Sequence, residues 1–338
     1  MSFPIEARVT IDKELAGDIA RQPFNLPSNL KILCETYRLQ ILGIDLIFDG
    51  ELDWRGLFFS RKVGHRLHIF SGGRFGYAGF SPVCGRLSLD IYLDAIDSSL
   101  SKLTPATCSL TGSFLGEQSE LNKAEGWYPK EICYLVADVK ESVDESGLIF
   151  RKAKIRSNLS RNLKKAQDRN FHCRMSTNET DLKEWYTSCH LVRIEELGGS
   201  PWGYTLLKRF IKEGSGKLAL VEGLNGKILG GCVILCSEDV LELFMMSTPT
   251  FQLTQGVNFV LTEFLYKFAY VSKNKYVNWQ ASNPPVGSLV EFKKSWNAQP
   301  KCFPIYSKIW DTKISKKYIE EHFKDCYVFP FDSILGGT

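Results

Sequence analysis

The chain has 338 residues, 44% of them hydrophobic and 24% charged, with a formal net charge of +4. That length fits two ordinary domains, and the composition is that of a folded chain, not a disordered one. The mild positive charge permits an anionic partner without requiring one.

Taken in order, Leu30, Leu33, Tyr37 and Ile41 recur at helical spacing and predict a helix over 29–42. Short strands are expected at 44–48, 56–59 and 66–70. A glycine-rich turn, SGGRFGYAGFSPVCG, leads to the helix-like SLDIYLDAIDSSLSKL and the strand-like ATCSLTGSFL. The stretch 112–129 is polar and reads as a surface loop, and 132–139 as an apolar strand. Gly72, Gly73, Gly76 and Gly79 make no dinucleotide fingerprint, because no βαβ unit surrounds them. They read as a flexible loop.

The most basic segment follows. Arg151, Lys152, Lys154, Arg156, Arg161, Lys164, Lys165 and Arg169 face one acid, Asp168. Ile155, Leu159, Leu163 and Ala166 give that helix a single packing stripe. Further helices are expected over 182–196 and 204–212. Strands at 218–222, 228–236 and 240–246 come next, the first two joined by a hairpin turn at Asn225-Gly226. A long amphipathic helix over 256–270 and a strand over 276–280 complete the pattern. The tract from Val277, VNWQASNPPVGSLVEFKKSWNA, runs from that strand through a polar turn to Phe292-Lys293-Lys294. Such a turn exposes backbone donors beside a packed aromatic and a cation, a plan that suits the wall of a site better than a core.

The ten cysteines include no CxxC pair, and the five histidines form no HExxH or comparable ligand set. Reduced thiols serving as small core hydrophobes, with neither disulfide nor metal, are expected. No apolar run approaches the roughly 18 residues of a spanning helix. The N-terminal MSFPIEARVTIDKELAG lacks the plan of a secretory signal, so a cytoplasmic protein is expected.

Four tracts together resemble the Fem-type peptidyl and aminoacyl transferases, members of the GNAT acyltransferase superfamily. They are IRSNLSRNLKKAQDRNF, CHLVRIEELGGSPWGYTLLKRF, KLALVEGLNGKILGGCVILC and VNWQASN…LVEFKKSW, spread over 132–300. Before residue 132 the likeness is one of outline. The resemblance implies an α/β (α+β) fold of tandem GNAT-like units, each a mixed central sheet flanked by helices. The units would be 1–137, divergent and on the acceptor side, and 138–310, which carries the signature. A tail, 311–338, would return to the first.

The activity so implied is transfer of an acyl or aminoacyl group to an amine on a cell-envelope precursor, polysaccharide sugar or peptide. The donor would be aminoacyl-tRNA, acyl-CoA or a carrier-protein thioester, with no cofactor held permanently. At the pyrophosphate-loop position this chain has Gln252-Leu253-Thr254-Gln255-Gly256-Val257. One glycine is present, and Val257 stands where a small residue is wanted, so the CoA loop looks degenerate. A sugar or small-amine N-acetyltransferase, or a non-catalytic binding protein on the same fold, are the alternatives.

Carried over residue by residue, Lys293 would stabilise the tetrahedral oxyanion or the donor carbonyl, and Phe292 would position it. The plain alternative is a lysine snorkelling beside a core phenylalanine; Lys294 is expected in solvent. Arg193 would bind an acceptor carboxylate or phosphate, or else pair with Glu196 at helical spacing. Asn278, Ser282 and Tyr204 would line the substrate site, although turn formation is the ordinary role of Ser282. Arg161 and Lys164 are candidates for a polyanion such as tRNA, or simply a solvated face. Glu242, a carboxylate inside the apolar run VLELFMM, would be a base, an outward-pointing strand residue or the partner of a nearby Arg. It is not included in the expected site.

Overall fold

In the computed structural model, which describes residues 4–11, 22–71, 79–115, 124–149, 153–280 and 287–323, the chain divides into two compact units. The first comprises 1–20, 24–133 and 301–338, the second 21–23 and 134–300. Within the first, strand β1 (Ile5–Ile11) precedes helix α1 (Pro27–Tyr37), β2 (Gln40–Phe48), β3 (Glu51–Val63), β4 (Arg66–Phe70) and β5 (Phe80–Pro82). Helix α2 (Leu93–Ser101), β6 (Pro105–Thr111) and β7 (Tyr128–Asp138) follow.

The helix predicted over 29–42 stops at Tyr37, because Arg38 takes the left-handed conformation at φ 55 and ψ 52. Ile41 and Leu42 belong instead to β2, where Leu42, Ile44 and Leu46 alternate into the core. They pack there with Trp54, Phe58, Tyr92 and Ile96. Asp53 is buried and accepts hydrogen bonds from the Arg86 and Leu87 amides (2.7 and 3.1 Å) and the Tyr92 hydroxyl (2.7 Å), which pins the segment after β5. Within the predicted polar loop, Phe114 and Trp127 are buried and Tyr128 already begins β7. The glycines 72, 73 and 76 lie outside the described residues.

The second unit takes over at Tyr134, inside β7. A small hairpin, β8 (Val143–Asp144) and β9 (Gly147–Leu148), leads to the basic helix α3 (Ala153–Gln167) and then to β10 (His172–Ser176). The helix expected over 182–196 is three pieces: α4 (Glu179–Trp185), a π-helical turn (Tyr186–His190) and α5 (Leu191–Glu196). Helix α6 (Tyr204–Lys212) and strands β11 (Gly216–Glu222), β12 (Ile228–Cys236) and β13 (Val240–Ser247) come next. Gly226 takes φ 70 in the hairpin turn, as the Asn-Gly pair predicts. Helix α7 (Thr250–Leu253), α8 (Val257–Val271), β14 (Tyr276–Asn278) and α9 (Gly287–Ser295) finish the unit.

Its strands lie in the order β7-β14-β13-β12-β11-β10, with β13–β14 parallel and the other pairs antiparallel. Leu159, Leu163 and Ala166 of α3 share one core with Val257, Leu261 and Leu265 of α8, as the stripe spacing predicts. The chain rejoins the first unit at Lys301, ten residues before the return at 311 that the resemblance implies. Strand β15 (Gln299–Ile309) pairs antiparallel with β6 and completes the order β1-β2-β3-β4-β6-β15. Helix α10 (Lys316–Phe323) is held by Tyr318 against His68 (3.3 Å), after an Arg66–Asp311 ion pair of 2.7 Å. Each unit is thus a mixed sheet flanked by helices.

One expectation about the thiols is overturned. Cys133 of β7 and Cys302 of β15 form a disulfide across 169 residues of sequence. Sequence spacing hides such a bond because strand pairing, and not proximity along the chain, brings the two sulfurs together.

Candidate active site

The site begins where two parallel strands part. β13 and β14 pair only from Val240–Glu242 to Tyr276–Asn278. Past that point the Trp279 amide bonds to Leu135 O of β7 (2.9 Å), and Gln280 turns into the left-handed region at φ 61. A β-bulge follows Glu242 on the other side, where the β12 register shifts between Val233 and Leu235. Bulges and left-handed non-glycine residues of this kind concentrate at functional sites.

Lys293 points into this gap. It lies on α9, is 6% exposed, and its Nζ donates to Trp279 O at 2.7 Å. Burial lowers its pKa to about 8, while the Glu242 carboxylate works in the opposite direction. Glu242 is fully buried, and Asn278 Nδ2 donates to its Oε2 at 2.8 Å. The other amide atom of Asn278, Oδ1, accepts from Gln280 N at 2.9 Å, which fixes the carboxamide orientation. Tyr134, on the adjoining stretch of β7, is buried; desolvation, reinforced by the charge of Glu242, raises its hydroxyl pKa well above the ordinary value.

Aromatic packing holds α9 in place. The Phe292 ring stands edge-on to Phe259 (5.4 Å), Trp279 (5.9 Å) and Trp296 (6.3 Å). Tyr266 donates to Trp296 O at 2.7 Å and accepts from Trp279 Nε1 at 2.9 Å. Phe292 and Lys293 are consecutive on a helix and so leave on different faces: the ring anchors the helix while the ammonium reaches Trp279 O. Lys294, by contrast, is exposed beside Glu291.

The structure therefore brings Lys293, Phe292 and Asn278 together and adds Glu242, Trp279 and Tyr134. In sequence, the sign of Glu242 was a lone carboxylate in an apolar strand; its partner stands 36 residues away. Arg193 is held by Glu196 (2.9 Å) and Thr250 (2.8 Å), and Glu196 also accepts from the Thr250 amide, so this cluster ties α5 to α7. The Tyr204 ring packs on Tyr186 at 5.3 Å, and its buried hydroxyl has no hydrogen-bond partner among the described residues. Phe244 meets Trp202 and Phe210, which places α6 over that face of β13. Arg161 and Lys164 are exposed on α3, and Ser282 lies outside the described residues.

The π-helical turn presents His190, which the sequence did not single out. It is buried, stacked on Trp185 at 5.4 Å and bonded through Nδ1 to Ser247 Oγ at 2.9 Å. Burial lowers its pKa to about 4, so the ring is neutral at physiological pH. Glu131, Cys133 and Cys302 place possible metal-donor atoms within 4.8 Å of one another. With both sulfurs in a disulfide, they offer no thiolate to a metal. Among the described residues no helix is long and apolar enough to cross a membrane.

No family model and no curated protein sequence matches the chain. Among solved structures it is similar to the crystal structure of FemX, at 12% identity and a TM-score of 0.62, covering 92% of this chain and 95% of that one. The C-terminal domain of a putative lysylphosphatidylglycerol synthetase from Agrobacterium fabrum matches at 9% identity and a TM-score of 0.54, over 86% and 88% of the two chains. L-PGS from Bacillus licheniformis matches at 13% identity and a TM-score of 0.52, over 90% and 98%. At such identities the likeness is one of architecture, and this chain has the fold of FemX and of these lysylphosphatidylglycerol synthetase structures.

Proposed function

We propose that the chain is a Fem-type N-acyltransferase whose reaction is centred on Lys293. It moves an acyl or aminoacyl group from an activated ester or thioester to an amine of a cell-envelope precursor, polysaccharide sugar or peptide. The observation that carries this reading is a buried ammonium 2.7 Å from Trp279 O, in the gap between two parting strands. The Fem-like fold supports it.

In the reaction the acceptor nitrogen attacks the donor carbonyl, the C–N bond forms, and the C–O or C–S bond to the carrier breaks. Negative charge gathers on the carbonyl oxygen in between. A fixed cation in a dry site stabilises that oxygen most, since it needs no reorganisation when the charge appears. With a pKa of about 8, Lys293 is still mostly protonated at neutral pH. The attacking amine must lose a proton, and Glu242, oriented by Asn278, is the nearby carboxylate to receive it.

Aminoacyl-tRNA is the favoured donor, with acyl-CoA or a carrier-protein thioester as the alternative. The pyrophosphate loop gives the reason. Gly256 takes φ +88, a conformation that favours glycine, and a Cβ there would fit tightly, 3.3 Å from Ala166 Cβ and Asn162 O of α3. Arg169 also donates to Gln255 O at 2.9 Å. The Gln255 and Gly256 amides donate to Gln252 O (3.1 Å) and Leu253 O (3.2 Å), so these loop N–H groups are engaged within the protein. A cytoplasmic location, where charged tRNA and acyl-CoA are both made, goes with this reading. The test is a transfer assay with labelled aminoacyl-tRNA or acyl-CoA and a panel of amine acceptors, scored by mass spectrometry. Amide formation lost in Lys293→Met supports the proposal; no product from either donor class refutes it.

A further inference from the structure

The Cys133–Cys302 disulfide stands beside both chain segments that build the Lys293 site. Cys133 is followed directly by Tyr134 and Leu135, and Leu135 exchanges hydrogen bonds with Trp279 N (2.9 Å) and Gln280 O (3.4 Å). Trp279 O receives Lys293 Nζ. From Lys293 the chain passes Trp296, whose amide bonds back to Lys293 O at 3.0 Å, and reaches Cys302 along β15. The bond thus closes a ring: Cys133 to Leu135 covalently, Leu135 to Trp279 and Trp279 to Lys293 by hydrogen bonds, and Lys293 to Cys302 covalently.

Two further observations set this disulfide apart from a permanent staple. Cys133 is an exposed residue at the surface, with the Glu131 carboxylate 3.7 Å from its sulfur, while Cys302 is half-buried. Seven other described cysteines remain free thiols, and Cys108, Cys189 and Cys232 are buried among them. One bond among many free thiols is a pattern of reducing compartments, where disulfides are transient and redox-sensing.

We propose that Cys133–Cys302 is a reversible thiol–disulfide exchange site for a dithiol reductant, and that its state governs how firmly Trp279 presents its carbonyl to Lys293. One thiolate of the dithiol attacks Cys133 Sγ, forms a mixed disulfide and expels the Cys302 thiolate. The second thiolate attacks the reductant's own sulfur in that mixed disulfide and releases Cys133. Two electrons pass to the protein, both cysteines become thiols, and the reductant leaves as a cyclic disulfide. Exchange itself stands on the disulfide alone; its consequence for turnover rests on the proposed role of Lys293.

The test uses the whole protein in buffers of graded reduced-to-oxidised dithiothreitol, with differential alkylation and peptide mass spectrometry. Cys133 and Cys302 are expected to interconvert as a pair in the folded protein while Cys108, Cys189 and Cys232 stay unmodified. Hydrogen exchange at the Trp279 amide should be about tenfold or more slower in the oxidised form, the lower end of what a crosslink contributes to an opening reaction. Cys133→Ser/Cys302→Ser should match the reduced form under all buffers. A pair that stays thiol in oxidised buffer, or resists reduction while folded, overturns the exchange site. Equal protection of Trp279 in both states overturns the coupling. Neither readout needs turnover, so loss of the acyltransferase reading would leave both results interpretable.

Discussion

Replacing Lys293 with Met tests catalysis and stability together, and the structure separates the two. The substitution removes a charge-assisted hydrogen bond to Trp279 O, worth about 1.5–3 kcal/mol. It also removes the favourable charge that Lys293 places near the buried Glu242, which adds to the loss. The desolvation that Lys293 itself suffers disappears, which offsets part of this. A net loss near 2–3 kcal/mol lowers Tm by roughly 4–12 °C for a unit of this size. Lys293→Met/Glu242→Gln removes both charges and should recover the electrostatic part of that loss, because the carboxamide that replaces the carboxylate still accepts from Asn278, while the bond to Trp279 O stays lost. Loss of an oxyanion donor cuts turnover about a hundred- to thousandfold, and this does not recover in the double variant. Lys294→Met, at an exposed position, should change stability by under about 0.5 kcal/mol and leave turnover intact. The assay is single-turnover amide formation beside a melting curve for each variant. A double variant with restored Tm and near wild-type turnover would falsify the role given to Lys293.

Five further outcomes are expected. If the ammonium form of Lys293 is required, turnover falls above about pH 8, and Lys293→Arg, where active, moves that limb upward. The sign for stability is opposite: the folded pKa is lowered from 10.5, so the cost of burying the charge is full below pH 8 and is relieved as pH rises from 8 to 10.5, readable in denaturant midpoints. Charge reversal at Arg161 and Lys164 should weaken binding of an anionic donor and flatten its salt dependence in a titration; unchanged binding returns α3 to a solvated face. Arg193→Ala should loosen α7 and cost about 1 kcal/mol through Glu196 and Thr250, and acceptor KM measured beside Tm shows whether it also touches substrate. Gly256→Ala should cost about 1–3 kcal/mol in chemical denaturation because the residue is left-handed and packed against α3.

Local rules in the sequence determined much of this protein. The stripe on α3, the limits of α6, the Asn-Gly hairpin and the order of strands β11 to β13 all follow from periodicity and turn chemistry, which act over a few residues. The tract from Val277 to Ala298 reads in sequence as poor material for a core, yet Val277, Trp279, Trp296 and Ala298 are buried in the core of the second unit and Phe292 packs against them. Tertiary structure decided what depends on partners far along the chain. Ile41 has helical spacing but pairs with Phe59 of β3 as part of strand β2. The helix over 182–196 contains a π-helical turn where His190 stacks on Trp185 and bonds to Ser247. Cys133 and Cys302 meet only through strand pairing. Glu242 joins the site because Asn278, which donates to it, lies on the neighbouring parallel strand. Arg193, equally legible as a ligand or as half of an ion pair, is drawn to Glu196 and Thr250 by the way α7 starts. A sequence names the groups able to do chemistry; which of them share one desolvated space is set by strand register and helix docking, and these belong to the whole fold.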